Sequence, residues 1–290
     1  MNDSSPTLPG GSFVIGDRTI PRFGYGAMQL AGPWVMGPPK DHDAALDVLR
    51  AARAAGIVHI DTSEAYGPRT VNEVLREALQ PDAKDLFIAT KVGGRRDAEG
   101  GWPVARQPDE LRQQIDDNLE TLGLDALDLV HLRLGDANGP VPGGIEEAFT
   151  TLVELQEQGV IRHLGVSNAT GEQVAQARSI APIVSVQNMY NLANRADDHL
   201  IDDLASEGIA YIPFFPLGGF TPLQSGALTA VANRLRSTPM SVALAWLLQR
   251  SANIMLIPGT SNKEHLSENI TGAALQLTAD DVAELENLGS

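Results

Sequence analysis

The stretch "DELRQQIDDNLETLGLDALDLVHL", Asp109 to Leu132, sets two patterns side by side. Its first part puts Leu111, Ile115, Leu119 and Leu122 on one helical face and stops at Gly123. That spacing is an amphipathic helix, and a glycine just past it suits the left-handed residue that ends one. Its second part, "LDLVHL", is a short apolar run, as expected of a strand buried on both faces. The same order recurs along the chain. "IEEAFTTLVELQEQG" carries Ile145, Phe149, Leu152 and Leu155 and stops at Gly159. "AALDVLRAARAAG" stops at Gly56, and "DDHLIDDLASEG" at Gly208. Short apolar runs occur at "FGYGAMQ", "GIVHI", "DLFIAT", "LDLVHL", "VIRHLGV", "IVSVQ", "GIAYIPF" and "NIMLIPG".

Strands alternating with helices predict a parallel α/β fold. Eight such units in 290 residues predict a (β/α)8 TIM barrel, typically about 250 residues long, as a single domain spanning 1–290. The segment 11–21, "GSFVIGDRTIP", reads as an N-terminal β-hairpin that closes the bottom of the barrel. "TADDVAELENLG" reads as an extra C-terminal helix capped by Thr278. Residues 1–10 read as flexible. "GYGAMQ" lacks the last glycine of G-x-G-x-x-G, which counts against an open dinucleotide-binding sheet.

The formal net charge of −16 makes nucleic acid and anionic lipid poor partners. With no cysteine, disulfides, thiolate metal sites and cysteine nucleophiles are excluded, and no metal is expected. The N-terminus has no apolar core of a signal peptide, and no apolar run reaches the roughly 18 residues of a membrane helix. The expectation is a soluble, cytoplasmic protein acting on small molecules.

In such a barrel the active site lies at the C-terminal ends of the strands. Those ends supply Asp61 and then Tyr66 in "DTSEAYGPRT", Lys91 in "FIATK" and His131 in "LDLVHL". Ser167 and Asn168 in "LGVSN" and Gln187 in "VSVQN" follow. Singly each is bland: an Asp at a strand exit is more often a turn former, and a His more often a bonded structural residue. Together they suit one chemistry. A phenol ordinarily titrates near 10, too high for proton transfer at neutral pH, and a neighbouring ammonium favours its ionised form. An aspartate would hold the ammonium, and a histidine would orient a carbonyl oxygen. The set fits carbonyl reduction, with hydride from a cofactor since no side chain supplies one.

Along its whole length the sequence resembles the aldo-keto reductase family. "DTSEAYG", "ATK" and "VHLR" resemble the family's catalytic segments, which implies a tetrad of Asp61, Tyr66, Lys91 and His131 with Tyr66 as general acid. "GVSN" and "QNMYN" resemble segments that hold the nicotinamide carboxamide, which implies Ser167, Asn168 and Gln187. "FFPLGG" implies cofactor contacts from Phe214, Phe215, Pro216, Leu217 and Gly218, with Phe214 stacked on the nicotinamide ring. "GYGAMQLAGP" adds Gly26 and Met28, and "GFTPLQSGAL" adds Leu223.

"IPGTSNKEHLSEN" resembles the adenosine-phosphate segment, which implies Gly259, Thr260, Ser261, Lys263, His265, Glu268 and Asn269. The implied cofactor is NADPH, with NADH the second candidate because His265 stands where the family often has arginine. The likeness is strongest to a bacterial pyridoxal reductase-like subgroup. Substrate contacts are expected from Tyr66, His131, Trp34 and Trp102, in an open pocket, because the chain ends soon after its last helix. Arg133 is left between a structural role and the pocket mouth. Two other readings are a slow-turnover nucleotide-sensing module of the same fold and a class I aldolase with a Schiff base on Lys91.

Overall fold

The computed structural model describes residues 8–80, 85–136, 139–216 and 225–287. An antiparallel hairpin of β1 (Ser12–Ile15) and β2 (Arg18–Pro21) comes first. Seven parallel strands follow in sequence order: β3 (Tyr25–Gly26), β4 (His59–Asp61), β5 (Phe87–Val92), β6 (Leu127–Arg133), β7 (Ile161–Ser167), β8 (Ser185–Gln187) and β9 (Ala210–Tyr211). The eighth apolar run pairs on both sides through single bridges, Ile254 with Tyr211 and Leu256 with Phe23. Backbone hydrogen bonds close the ring there, two to the segment of Tyr211 and three to the segment 22–26. The fold is a (β/α)8 barrel.

Between strands run α1 (His42–Ala54), α2 (Thr70–Leu79), α3 (Pro108–Leu122), α4 (Glu146–Glu157), α5 (Gly171–Ile180) and α6 (Asp198–Ser206). After β9 come α7 (Gly226–Arg234), α8 (Pro239–Arg250), α9 (Lys263–Ala273) and the added α10 (Ala279–Glu286), which Thr278 caps. The glycines expected to end helices, Gly56, Gly123, Gly159 and Gly208, all have left-handed φ between 67° and 91°. There a side chain on any other residue would be strained.

Two apolar cores result. The larger lies between helices and sheet. The smaller fills the barrel, where Ile15 and Ile20 of the hairpin meet Phe87, Ala89, Leu129, Ala210, Ile212 and Met255. The hairpin plugs the N-terminal end, and Arg18 pins it by donating to the Leu86 and Asp85 carbonyls at 2.6 and 2.9 Å. Arg22 fastens the seam by donating to the carbonyls of Ile254, Ser251, Leu248 and Gly10. Leu8 is buried and Gly10 packs on Leu248, so order reaches back into the segment expected to be flexible; residues 1–7 lie outside the described residues.

Candidate active site

Side chains alternate across a strand, so residues two apart share a face. On β5 the inward series is Phe87, Ala89, Lys91; on β6 it is Leu129, His131, Arg133. The inward positions are apolar near the hairpin and turn polar toward the other end. Lys91 stands beside His131 in register, and His131 beside Gly165. Strand geometry thus carries the polar residues to one mouth.

There the Lys91 ammonium donates to Asp61 Oδ1 at 2.7 Å and to the Thr62 carbonyl at 2.9 Å. It also lies 5.3 Å from the centre of the Tyr66 ring. Burial alone would lower its pKa, but the fields of Asp61 and Tyr66 outweigh that and raise it. Lys91 is therefore a fixed cation. A Schiff base needs a free amine, so the aldolase reading fails on this geometry. The second oxygen of Asp61 accepts from Gln187 Nε2 at 2.8 Å. Gln187 therefore anchors the carboxylate, a role its expected place beside the carboxamide did not include.

His131 is fully buried, with a 2.8 Å hydrogen bond between its Nε2 and Ser185 Oγ. Burial, followed by the Lys91 charge, pushes its pKa down to about 3, so it is a neutral imidazole. The ring lies inside the barrel beside Lys91. His59, one turn of the pleat below Asp61, is also fully buried, and neither ring nitrogen has a hydrogen-bond partner. Burial first, with Lys91 adding to it against Asp61, lowers its pKa to about 4. The sequence reading missed His59 and Ser185, since it took only strand exits; their inward parity was the available signal.

A buried polar cluster under α2 and α3 sets the height of this layer. Thr62 Oγ1 donates to Asn72 Oδ1, while Asn72 Nδ2 and Thr90 Oγ1 both donate to Asn118 Oδ1. Thr62 and Thr90 directly follow and precede Asp61 and Lys91, so the cluster fixes the backbone that carries both.

A cavity of about 160 Å3 opens over Asp61 and Tyr66. Gly26, Met28, Phe214, Phe215, Pro216 and Gly259 line it, all expected cofactor contacts, together with Gln29, Met240, Ile257 and Pro258, which were not foreseen. A methyl on Gly259 would lie 2.5 Å from the Gly26 carbonyl, so only glycine permits this closure. Phe214 and Phe215 meet edge to face at 5.2 Å. Ser167 and Asn168 are buried at the exit of β7, and Asn168 takes a left-handed φ of 54°. Its Nδ2 donates to the Asp136 carbonyl at 2.7 Å, while its buried Oδ1 has no partner. A buried, unpaired amide acceptor at a strand exit fits a nicotinamide carboxamide.

Thr260 and Asn269 are buried beside this end of the barrel, Glu268 is half-buried, and Ser261, Lys263 and His265 are exposed. Lys263 Nζ is 2.8 Å from Asp47 of α1, so it is shared with a carboxylate rather than free for a phosphate. Leu217, Gly218 and Leu223 lie outside the described residues. Trp34 is 82% exposed and lines a neighbouring 410 Å3 cavity, which shares Met28 and Gln29 with the first and is lined by none of Asp61, Tyr66, Lys91 and His131. Trp102 is half-buried against Arg96 and Arg133. Among the described residues no cluster of side chains could hold a metal ion, and no helix is long and apolar enough to cross a membrane.

Residues 22–290 match the sequence model of the Aldo/keto reductase family. Pyridoxine 4-dehydrogenase of Escherichia coli (strain K12) is 55% identical over 279 residues, covering 96% of this chain and 98% of that protein. An uncharacterized oxidoreductase of Schizosaccharomyces pombe is 36% identical over 280 residues, covering 96% of this chain and 90% of that one. Among solved structures, a thermostable aldo-keto reductase in complex with the inhibitor epalrestat aligns at TM-score 0.81 and 28% identity, over 96% of this chain and 99% of that one. An aldo-keto reductase complexed with NADPH aligns at TM-score 0.75 and 26% identity, over 97% and 88%.

Proposed function

The chain belongs to the aldo/keto reductase family, and we propose that it reduces aldehydes with NADPH, pyridoxal to pyridoxine among them, using Tyr66 as the proton donor. One observation carries the reading: Lys91, tied to Asp61 at 2.7 Å and set against the Tyr66 ring, serves a cavity lined by Asp61 and Tyr66 together with Gly26, Phe214 and Gly259. When bound, NADPH supplies hydride to the carbonyl carbon. Tyr66 delivers the proton to the carbonyl oxygen as negative charge grows there. Lys91 holds positive charge beside the phenol throughout, and Asp61, fixed by Gln187, keeps Lys91 in place. His131 stays neutral and adds no second cation to the layer.

Asn168 Oδ1 and Ser167 would receive the carboxamide, Phe214 would cover the ring, and the segment from Gly259 to Asn269 would take the adenosine end. Lys263 would meet the 2′-phosphate after giving up Asp47. The setting would be cytoplasmic, and the whole chain would act as one catalytic domain. Steady-state reduction of pyridoxal by Tyr66→Phe tests the reading. Loss of the proton donor should lower kcat about 10²- to 10⁴-fold while NADPH affinity is kept. Unchanged turnover in that variant would remove Tyr66 from the mechanism. Tight NADPH binding with no reduction of any aldehyde by the unaltered protein would instead favour a nucleotide-sensing module.

A further inference from the structure

One cationic cluster at the mouth is not used by the tetrad. Arg133 is the next inward residue of β6 after His131, so it stands one layer closer to the opening. Tyr66 lies near enough for its field to act on the Arg133 guanidinium. The loop after β5 brings Arg96 and Arg106 to the same place, and each of them feels the positive field of Arg133. Like charges gathered in a half-buried site oppose one another, and folding alone gives no reason to collect them.

The placement is built. Gly93, at the end of β5, has φ +103°, and a methyl there would lie 2.8 Å from the Arg133 carbonyl. Only glycine lets the loop lie down on the exit of β6. Gln114 of α3 then clamps it, accepting from Gly93 N–H at 2.9 Å and donating to the Ala105 carbonyl at 2.8 Å. Arg106 donates to the Leu134 carbonyl at 2.7 Å. The guanidinium carbons of Arg96 and Arg133 lie 4.2 and 4.9 Å from the centre of the Trp102 ring. Arg96 also donates to the Trp34 carbonyl at 2.8 Å and to Met36 Sδ at 3.2 Å, which fixes its place; Arg133, held over the aromatic ring, keeps its N–H edge for an anion.

Carboxylates are not scarce, since 37 acidic residues face 21 basic ones. Arg69, Arg112, Arg178, Arg195, Arg234 and Arg250 are each in ion pairs. Among the described residues, no ion pair involves Arg96, Arg106 or Arg133. The fields of Asp97 and Asp136 reach Arg96 and Arg133, but Asp97 Oδ1 is already engaged by the Gly101 N–H.

We propose that Arg133 and Arg96, held over Trp102, form a subsite for an anionic group on the substrate, so that the enzyme selects aldehydes carrying a negative charge on an aromatic ring. The inference rests on the reductase reading and adds the substrate class. Pyridoxal is of this kind, with an acidic ring hydroxyl. The test compares 4-carboxybenzaldehyde and 4-formylphenyl phosphate with the neutral methyl 4-formylbenzoate in the native enzyme, Arg133→Met and Arg133→Lys. The two anions separate carboxylate from phosphate recognition. Native kcat/KM should favour an anionic aldehyde about 10- to 100-fold, the range of a charge-assisted hydrogen bond. Arg133→Met should abolish the preference through KM, and Arg133→Lys should keep part of it.

Calorimetric titration with 4-(hydroxymethyl)benzoate gives a second readout that needs no turnover. Reduction of the neutral ester without preference for either anion would overturn the subsite and leave the reductase intact. Equal losses for anionic and neutral aldehydes in Arg133→Met would also overturn it. Binding that depends on Arg133 without turnover of any aldehyde would keep the subsite and overturn the reductase.

Discussion

Lowering the pH from 7 to 5 should remove about 4 kcal/mol of folding stability through two side chains, His59 and His131. Both are fully buried inside the barrel, and neither nitrogen of His59 has a partner. Burial, with the Lys91 ammonium adding to it, holds their pKa values at about 4 and about 3. In the unfolded chain both titrate near 6.5. The unfolded state therefore takes up protons that the folded state refuses. Their contribution is complete above pH 6.5 and is lost as the pH falls toward 4. Each histidine accounts for about 2 kcal/mol between pH 7 and pH 5, a large share of the 5–15 kcal/mol that holds an ordinary domain. Glu64 and Asp128, whose pKa values burial raises, work in the opposite direction. Comparison with a single-site variant cancels them. His59→Phe replaces one ring by another of similar size against Phe87, which it already meets edge to face at 5.9 Å. Urea unfolding at pH 7, 6 and 5 should give this variant a pH-dependent loss smaller by about 2 kcal/mol. Parallel pH dependences for the two proteins would refute the claim that His59 is buried neutral.

The same low pKa keeps His131 neutral across the working range, so the kcat profile for pyridoxal reduction should show no ionisation near pH 6.5; a limb there would mean His131 titrates normally. Gln187→Leu leaves one oxygen of buried Asp61 without its donor, which costs about 1–3 kcal/mol. It should lower kcat about 10- to 100-fold, and unaltered kinetics would deny Gln187 a positioning role. Asp47→Asn releases Lys263 from an exposed pair of small intrinsic worth and should tighten NADPH binding relative to NADH about three- to fivefold, read by protein fluorescence. Asn118→Ala strips the acceptor from Asn72 and Thr90 and should cost about 2–3 kcal/mol in urea unfolding, with Lys91 and Asp61 displaced enough to slow turnover.

What could be read from the sequence was what local chemistry dictates. Gly56, Gly123, Gly159 and Gly208 were legible because a helix end needs a left-handed residue, and all four have one. Asp61, Tyr66, Lys91 and His131 were legible because barrel topology sends strand exits to one mouth. His59 and Ser185 were hidden because they sit inside strands rather than at their exits. Their place in the site depends on which parity faces inward, and that only the register reveals. The bond of Gln187 to Asp61 joins residues 126 apart in sequence, and that of Lys263 to Asp47 residues 216 apart. The joining of Trp102 to Arg133 depends on Gly93 laying one loop over the next strand exit, and loops carry no period to read.

A net charge of −16 and a mouth whose arginines, among the described residues, make no ion pair act over different distances. At physiological salt the Debye length is about 8 Å, so acidic groups scattered over the surface are largely screened from an approaching anion. At contact, about 4 Å, one guanidinium near a protein surface attracts a unit negative charge by about 4 kcal/mol. The many remote acids thus set solubility, while the few near cations decide what stays bound. A nucleotide carrying phosphates and an aldehyde carrying a ring anion would each leave a net repulsive surface for a locally attractive cleft. On this argument, Lys91 cannot serve as the anion receptor. Its charge is already committed to Asp61 at 2.7 Å and to the phenol. Selection by charge must come from a cation outside the tetrad, and Arg133, one layer closer to the opening than His131, is so placed.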